Sequence, residues 1–425
     1  MDRAALQRRV LRVLTGGQIV GAAALGAAVT VGAFVVQDIL GDDTPLGGIA
    51  TATVTTGTAV MAQLLSRLMW HRGRRPGLQL GYGLAAVGGV IAAIGAERKV
   101  LAVFVAGLFL FGSGQASNLL ARYAATDLAD PDHRGRAMSR VVFASTFGAV
   151  FGPLLIAPSE RAGEEWFGFD RYTGPWLFSA VCFAVAMVNT AVRLRPDPLV
   201  VAGGGAMAAG AASPPIRHAV RVIGAAPRAK LALGSMAVSQ AAMVAVMTMT
   251  PVHMRLHGHE AMSPYVISAH IGGMFAFSPL VGRYVDRRGS LSAVQVGAAI
   301  LVAATLLAST AGITEWLLFP ALWALGLGWN FGLLGGSALL IESVVPAERV
   351  AVQGTADLTM SLCGAIAGFS SGFIRRAAGY HVLADIAAAA ALGLLIAAYL
   401  SARRAAPPDR PTAVPEPAVT GVGLD

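Results

Sequence analysis

Three ionisable residues lie where the surrounding sequence is almost entirely apolar. Asp38, Asp357 and His270 each stand inside or at the end of a long uncharged stretch. A carboxylate in such a place is costly unless it faces protein or water, and an imidazole titrates near neutral pH. These groups are therefore candidates for carrying a proton or a cation. Two structural alternatives stay open: Asp357 could pair with Arg349 or cap a helix, and His270 could bond a backbone carbonyl.

Uncharged polar residues accompany them in the apolar stretches. Amide and indole side chains can line a cavity for a mostly apolar ligand, or they can form hydrogen bonds between helices. The candidates for such a cavity are Gln18, Gln63, Gln115, Asn118, Gln240, Trp329 and Asn330. His253 and His257 could bind a transition metal, but Arg255 stands between them. We expect neither a metal nor another cofactor.

The elements that must position these residues are predicted to be membrane helices. Apolar residues form 55% of the sequence and charged residues 13%, about half the share of roughly 25% that is usual in soluble domains. Uncharged runs of about 20 residues match the length that crosses a hydrocarbon core. The sequence predicts twelve such spans, near residues 13–37, 46–66, 77–96, 100–121, 141–157, 175–192, 231–252, 262–282, 291–314, 316–341, 350–373 and 386–402.

The loops between these spans differ in charge. Most of the 32 Lys and Arg residues fall in alternate loops, together with both ends of the chain. Because basic loops stay in the cytoplasm, this pattern predicts a multi-pass protein of the plasma membrane with both termini inside. The net charge of +9 follows from this topology, and no nucleic-acid partner is needed to explain it.

One loop carries a specific pattern of charges. Gly282, Asp286, Arg287, Arg288 and Gly289 interrupt the apolar sequence after the eighth span. The pattern resembles the loop signature of the major facilitator superfamily, G-x-x-x-D-[RK]-x-G-[RK]-[RK], and lacks only its last basic residues. The resemblance implies an all-α membrane protein with the fold of that family, in which twelve transmembrane helices form two pseudo-symmetric six-helix bundles.

The chain also contains an internal repeat. Asp127 and Arg134 match Glu342 and Arg349 at an offset of 215 residues, and Gly73 matches Gly289 at 216. We therefore expect two homologous halves with a substrate site between them. The predicted divisions are 1–192 for the first bundle, 193–230 for a cytoplasmic linker, 231–402 for the second bundle and 403–425 for a disordered tail.

The resemblance also implies partners for the loop charges. Asp127 and Glu342 end the fourth and tenth spans, close to the basic pairs Arg74, Arg75 and Arg287, Arg288. In the family such carboxylates pair with loop arginines and form latches that break as the halves move. Solvated helix caps are the alternative.

A further motif and two departures bear on the direction of transport. Gly148, Gly152 and Pro153 resemble the G-x-x-x-G-P core found in antiporter branches of the family, although paired glycines are common wherever membrane helices pack. Trp70 replaces the signature aspartate in the first half. Leu108 stands where many drug and proton antiporters carry an arginine, so that residue's role in proton relay does not transfer to this chain.

The sequence thus predicts a transporter and not an enzyme, since it contains no nucleotide-binding motif and no nucleophile constellation in a soluble domain. We expect a monomer that exports small, mostly apolar molecules in exchange for protons. A proton-coupled nutrient importer is the alternative within transport. A membrane sensor or lipid-handling protein that does not transport is the alternative outside it.

The predicted topology can be tested by labelling. Cysteines introduced at Ser159 or Thr314 should react with an impermeant reagent added to intact cells, because both positions fall in outer loops. A cysteine at Ser290 should not react. The reverse pattern of labelling would overturn the orientation.

Overall fold

The computed structural model describes residues 3–40, 49–203, 215–258, 262–311 and 314–404. Every regular element in these ranges is helical. A helix satisfies its backbone N–H and C=O groups internally, as hydrocarbon surroundings require. The predicted all-helical architecture is confirmed.

The first bundle contains seven helices, which are α1 (Arg3–Leu40), α2 (Ile49–Arg72), α3 (Arg74–Glu97), α4 (Leu101–Ala124), α5 (Arg134–Leu154), α6 (Ile156–Phe167) and α7 (Thr173–Arg193). Six of them correspond in order to the first six predicted spans. The sequence did not predict α6. The helix of the fifth span ends at Leu154, and most residues of α6 are exposed or half-buried.

Two short helices, α8 (Pro198–Val201) and α9 (Ile216–Ala225), precede the second bundle. The second bundle contains α10 (Pro227–Leu256), α11 (Ser263–Phe275), α12 (Ser278–Arg288), α13 (Ser290–Thr310), α14 (Glu315–Glu342), α15 (Arg349–Ala378) and α16 (Tyr380–Arg404). Together α11 and α12 form the eighth span, interrupted at Ala276 and Phe277. The middle of the predicted linker, 204–214, and most of the predicted tail, 405–425, lie outside the described residues.

Nine helices in the described part of the chain are long and apolar enough to cross a membrane. The other three predicted spans fall on α1, α2 and α5, which contain 38, 24 and 21 residues. These three helices pack in the first bundle beside helices that are long and apolar enough to cross a membrane. The sequence patterns and the helices thus agree on twelve spans.

Each bundle has its own apolar core. In the first bundle the Trp176 ring meets the edges of Phe104 and Phe111 at centroid distances of 5.2 and 5.5 Å. The second core consists mainly of Leu, Ala and Val side chains. Small residues let neighbouring helices approach closely where lipid provides no hydrophobic drive for association.

One end of the molecule is named here the latch face. It contains the turn at Gly73 between α2 and α3, the segment 125–133 after α4, and the turn at Gly289 between α12 and α13. Gly73 and Gly289 have φ angles of +91° and +87°, a conformation that side chains with a Cβ rarely adopt. Arg3 and Gln7 of α1 donate to carbonyls of residues 128 and 125, so the chain begins at this face.

The structure affects the choice of topology probes. Thr314 is exposed at the end opposite to the latch face. Ser290 is buried and donates to Glu342, so a cysteine there would be shielded from reagent on either side. Asp132 is exposed on the latch face and is the better inner probe.

Close packing of α2 and α4 gives a test of the fold. A Cβ at Gly112 would overlap the carbonyl of Val54 and the amide of Thr58. Gly112→Val should therefore lower the midpoint of thermal unfolding in detergent, because overpacking costs about 1–3 kcal/mol. Gly393→Val is the matched control, since nothing lies within 4 Å of a Cβ at that helical glycine. Equal midpoints for both variants would contradict the packing of α2 on α4.

Candidate functional site

A buried ion pair joins the two bundles near the latch face. Arg122 lies in the last turn of α4, and Asp357 lies about two turns from the start of α15. The Arg122 Nη2 atom is 2.5 Å from the Asp357 Oδ1 atom. Their side chains are 1% and 0% exposed. A charge at such depth is tolerated only when it is paired, so each residue depends on the other.

The remaining polar atoms of Arg122 are also bonded. Its Nε donates to the Ser337 hydroxyl of α14 at 3.1 Å, its Nη1 donates to the Leu119 carbonyl, and its Nη2 donates to the Tyr123 hydroxyl. In contrast, Asp357 Oδ2 has no hydrogen-bond partner among the described residues. The carboxylate therefore keeps one free acceptor atom beside a guanidinium whose three nitrogen atoms all donate hydrogen bonds.

Arg122 and Ser337 occupy equivalent positions of the internal repeat. They are 215 residues apart, which is the offset that relates Asp127 to Glu342. Equivalent residues of two repeats can touch only close to the axis that relates the repeats. The ion pair therefore lies near the pseudo-twofold axis, in the interface between the two bundles.

A second charged contact includes the predicted pair Arg74 and Asp127. The Arg74 Nε and Nη2 atoms donate to the two Asp127 oxygens at 2.9 and 3.1 Å, and Nη2 also donates to Gln353 of α15 at 2.9 Å. Burial raises the pKa of Asp127 above its ordinary value, whereas Arg74 opposes the shift by favouring the carboxylate. The first-bundle latch thus reaches the second bundle through Gln353. Arg75 instead donates its backbone N–H to Asp197 and its Nε to the Ala191 carbonyl.

The equivalent contact in the second bundle differs from the prediction. Glu342 accepts a hydrogen bond from the hydroxyl of Ser290, the residue that matches Arg74 at an offset of 216. Arg287 and Arg288 were the predicted partners, but both are exposed and make no ion pair within the described ranges. They lie in the last turn of α12, and the chain reverses only at Gly289. The helix directs them away from Glu342.

Asp286 connects the bundles in another way. Its two carboxylate oxygens accept the backbone N–H groups of Gly135 and Arg136 at 2.8 and 3.0 Å. Arg136 also donates its Nε at 2.9 Å. Asp286 therefore caps the N-terminus of α5 from the opposite bundle. The signature residues up to Arg288 are helical, which corrects the expectation that they form a loop.

The helices carrying these groups approach closely at two equivalent points. Ser66 of α2 lies against Gly354 of α15 and donates its hydroxyl to the Val350 carbonyl at 2.5 Å. On the other side of the axis, Gly282 of α12 lies against Ser139 of α5. Each interface places one glycine against one serine. The contacts from Arg122, Arg74, Asp286 and Ser66 all lie toward the latch face, which the structure closes.

Two other residues that the sequence suggested as proton carriers lie away from these contacts. Asp38 is 43% exposed near the opposite face, and its carboxylate lies 3.4 Å from Lys99 Nζ. His270 is buried, and its Nδ1 lies 2.8 Å from the Leu322 carbonyl. That contact is the backbone hydrogen bond that the sequence left open as the alternative.

The uncharged cavity candidates mostly bond across helix interfaces. The pairs are Gln18 with Ser145, Asn118 with Tyr82, Gln240 with Trp329, Asn330 with Ser278, and Gln63 with Thr355. Gln115 is half-buried on α4. Helix-to-helix bonding explains the paired residues, and Gln63 to Thr355 is the pair that joins the two bundles.

Comparisons with known proteins identify the family. A model of the Major Facilitator Superfamily matches residues 15–368. The uncharacterized MFS-type transporter YdeG of Bacillus subtilis (strain 168) is 39% identical over 389 residues, covering 90% of this chain and 89% of that protein. The chain belongs to the Major Facilitator Superfamily. Its proteins are carriers and not enzymes, so this membrane protein is a transporter.

Two further proteins, one similar in sequence and one in structure, match nearly the whole of this superfamily member. The riboflavin transporter RfnT of Brucella anthropi is 28% identical over 384 residues, covering 90% of this chain and 93% of that protein. A solved structure of the proton:xylose symporter XylE superposes with a TM-score of 0.72 at 15% identity, covering 95% of this chain and 96% of that chain. At that identity the likeness concerns the fold alone.

The antiporter-like motif has a packing role in this superfamily member. A Cβ at Gly148 or Gly152 of α5 would overlap α1 at Ala22 or Ala23. Gly364 and Gly368 of α15 approach α10 in the equivalent way, at Gln240 and Val244. Pro153 follows Gly152 in α5, one residue before the helix ends. The second bundle repeats this glycine packing. In both bundles the glycines let two neighbouring helices approach closely.

Sequence reasoning missed Arg122. It placed this arginine with the basic residues of a loop, whereas α4 continues to Ala124 and carries Arg122 inward. The pairing of the fourth and eleventh spans was the missing information, because 235 residues separate Arg122 from Asp357. His253 and His257 form no metal site with other described residues, and His257 Nδ1 bonds the His253 carbonyl.

The α5 cap gives a test of the gate. Asp286→Asn removes the charge and one carboxylate oxygen, so about 1–3 kcal/mol of stabilisation of the closed latch face should be lost. Transport should fall while the amount of protein in the membrane is unchanged, as measured by uptake or efflux per molecule. Arg287→Gln, one residue away and exposed, should behave like the native chain. Equal turnover in Asp286→Asn would show that the cap is dispensable.

Proposed function

We propose that this transporter is a monomer that exports small, mostly apolar and uncharged molecules in exchange for protons by alternating access. The observation that carries the proposal is the buried pair of Arg122 and Asp357. It is an ionisable contact between the two bundles, and it lies in the part of the molecule that must open for transport. A proton that changes this contact would change the balance between closed and open states.

The chemistry of the pair supports proton coupling. Protonation of Asp357 would remove its charge and with it the electrostatic contact to Arg122, whose charge would then need another partner or water. The bundles would separate at this point and give Arg122 access to solvent. Release of the proton would favour the closed arrangement again. Coupling requires only that substrate and proton bind the two states with different affinity.

The distribution of basic residues supports the orientation. The latch face contains the basic segments 67–75, 134–140 and 283–288, and α1 begins there. Basic loops remain in the cytoplasm. We therefore place the latch face and both termini on the cytoplasmic side of the plasma membrane, with the described structure closed toward the cytoplasm.

The substrate class follows from the charges that are available in the interior. Within the described spans, the fully buried charged groups are Arg74 at the start of α3, Arg122 and Asp357, and each arginine has a carboxylate partner. The other buried polar groups are amides, hydroxyls and the imidazole of His270. A site among such groups favours an uncharged molecule, since a charged one would need a counter-ion.

Proton-coupled import of a nutrient is the second candidate. It is favoured by the likeness to RfnT, named a riboflavin transporter, at 28% identity over 90% of this chain. Riboflavin is therefore a sensible first compound, beside dyes and antibiotics, in a screen of binding to the purified protein. The sign of the pH change that substrate addition causes in proteoliposomes would distinguish export from import. Absence of counterflow for every compound that binds would favour a sensor.

The proton-coupling proposal can be tested at the ion pair. Asp357→Asn alone would leave Arg122 buried without a counter-ion, at a cost of about 3–5 kcal/mol in stability. The variant to test is therefore the double substitution Arg122→Gln with Asp357→Asn, which removes both charges. In proteoliposomes this double variant should lose transport driven by a pH gradient but retain substrate counterflow, which needs no net proton movement. Asp38→Asn should retain both.

Two results would contradict the proposal. Full pH-driven transport in the double variant would place the proton site elsewhere, or would exclude proton coupling. The double variant could also lose both counterflow and pH-driven transport while its midpoint of thermal unfolding equals that of the native chain. That result would make the pair a part of the substrate site or of the contacts between the bundles, and not the proton carrier.

A further inference from the structure

A groove opens on the latch face between the start of α10 and the end of α16. Its volume is about 920 Å³, and Ser343 at the end of α14 forms part of its wall. Leu231, Val238 and Leu394 give it an apolar lining. Gly234 also lines it, and nothing lies within 4 Å of a Cβ placed on that residue. The groove is thus an open apolar channel between two membrane-spanning helices.

The outer end of the groove is positively charged. Arg228 and Lys230, in the first turn of α10, line it with exposed side chains. Neither makes an ion pair with a carboxylate in the described part of the chain. The sequence contains no acidic residue from 198 to 259. The first N–H groups of a helix favour an anion as well. Glu342 interacts electrostatically with Arg228 but accepts its hydrogen bond from Ser290, so within the described residues the two basic groups outnumber the carboxylates at this end.

The neighbouring helix α9 also presents basic residues on its exposed side. In α9 the Ala219 and Ile223 side chains are buried, whereas Arg217 and Arg221 are exposed. Both buried side chains belong to the apolar core of the second bundle, so α9 packs on α10 and α15 with its basic side outward. The side of α16 that holds Leu392, Ile396 and Leu400 is exposed in the chain and faces the lipid. The groove therefore opens both to the acyl region and to the headgroups.

We propose that this groove binds an anionic phospholipid. One acyl chain lies along Leu231, Gly234 and Leu394, and the phosphate meets Arg228 and Lys230. Basic pockets between membrane helices are suited to anionic headgroups. Charge complementarity selects an anionic lipid over a zwitterionic one, because a zwitterion brings its own cation to a rim that already has two. The acyl channel selects a lipid over free phosphate.

The site borders the gate. Ser343 directly follows Glu342, which accepts the Ser290 hydrogen bond of the second-bundle latch. A bound lipid would therefore contact α10, α14 and α16 together where the second bundle meets the latch face. It would hold these three helix ends in their present arrangement.

Native mass spectrometry of the full chain in detergent tests the site. With dioleoyl phosphatidylglycerol and dioleoyl phosphatidylcholine added in turn, the phosphatidylglycerol should bind at least about tenfold more tightly, as expected for two basic groups. Arg228→Gln with Lys230→Gln should abolish that preference. Arg217→Gln with Arg221→Gln removes the same charge from α9, outside the groove, and should leave the preference intact.

A further variant tests the acyl channel. Gly234→Leu keeps every charge but fills the open space, so it should weaken binding of phosphatidylglycerol while its thermal midpoint without lipid matches that of the native chain. Equal binding of both lipids to the native chain would overturn the proposal. So would equal loss in the two charge variants. Unchanged lipid binding in Gly234→Leu, combined with displacement of the lipid by inorganic phosphate, would make this a phosphate site.

Discussion

An arginine and an aspartate from different bundles are buried together in a region where neither charge is tolerated alone. Removing either from its partner exposes a charge to a low-dielectric interior, at a cost that only water or another counter-ion offsets. The ends of α4, α14 and α15 therefore stay together until such a replacement is supplied. The other contacts on the latch face add to this arrangement without needing a charge change to be broken.

The internal repeat explains where these contacts lie. Positions equivalent in sequence perform equivalent tasks: Arg74 bonds Asp127 in one half, and Ser290 bonds Glu342 in the other. The residue types differ, so one latch is ionic and the other is a hydrogen bond from a hydroxyl. Arg122 is charged whereas its counterpart is Ser337, which places the single arginine of this contact in the first bundle. The fold is nearly symmetric, but its electrostatics are not.

Local sequence features predicted much of this structure. Apolar length predicted the spans, and the resemblance to the family's loop pattern predicted the contact between Arg74 and Asp127. Partners distant in sequence were not predictable in the same way. The Arg122 pairing depends on which helices meet across the axis, and the Glu342 partner depends on α12 continuing to Arg288. The contact of Asp38 with Lys99 was likewise not predictable from its position near the end of α1.

At both crossings between the bundles the serine comes from the first bundle and the glycine from the second. The two halves are therefore not interchangeable. A symmetric pair made of two first bundles would press Ser66 against Ser139 at both crossings and bring two copies of Arg122 to the axis. A pair made of two second bundles would leave Gly282 facing Gly354 across a gap, with Asp357 lacking a cation. Each half has thus lost the ability to match a copy of itself, and the covalent connection between them joins two surfaces that fit only each other.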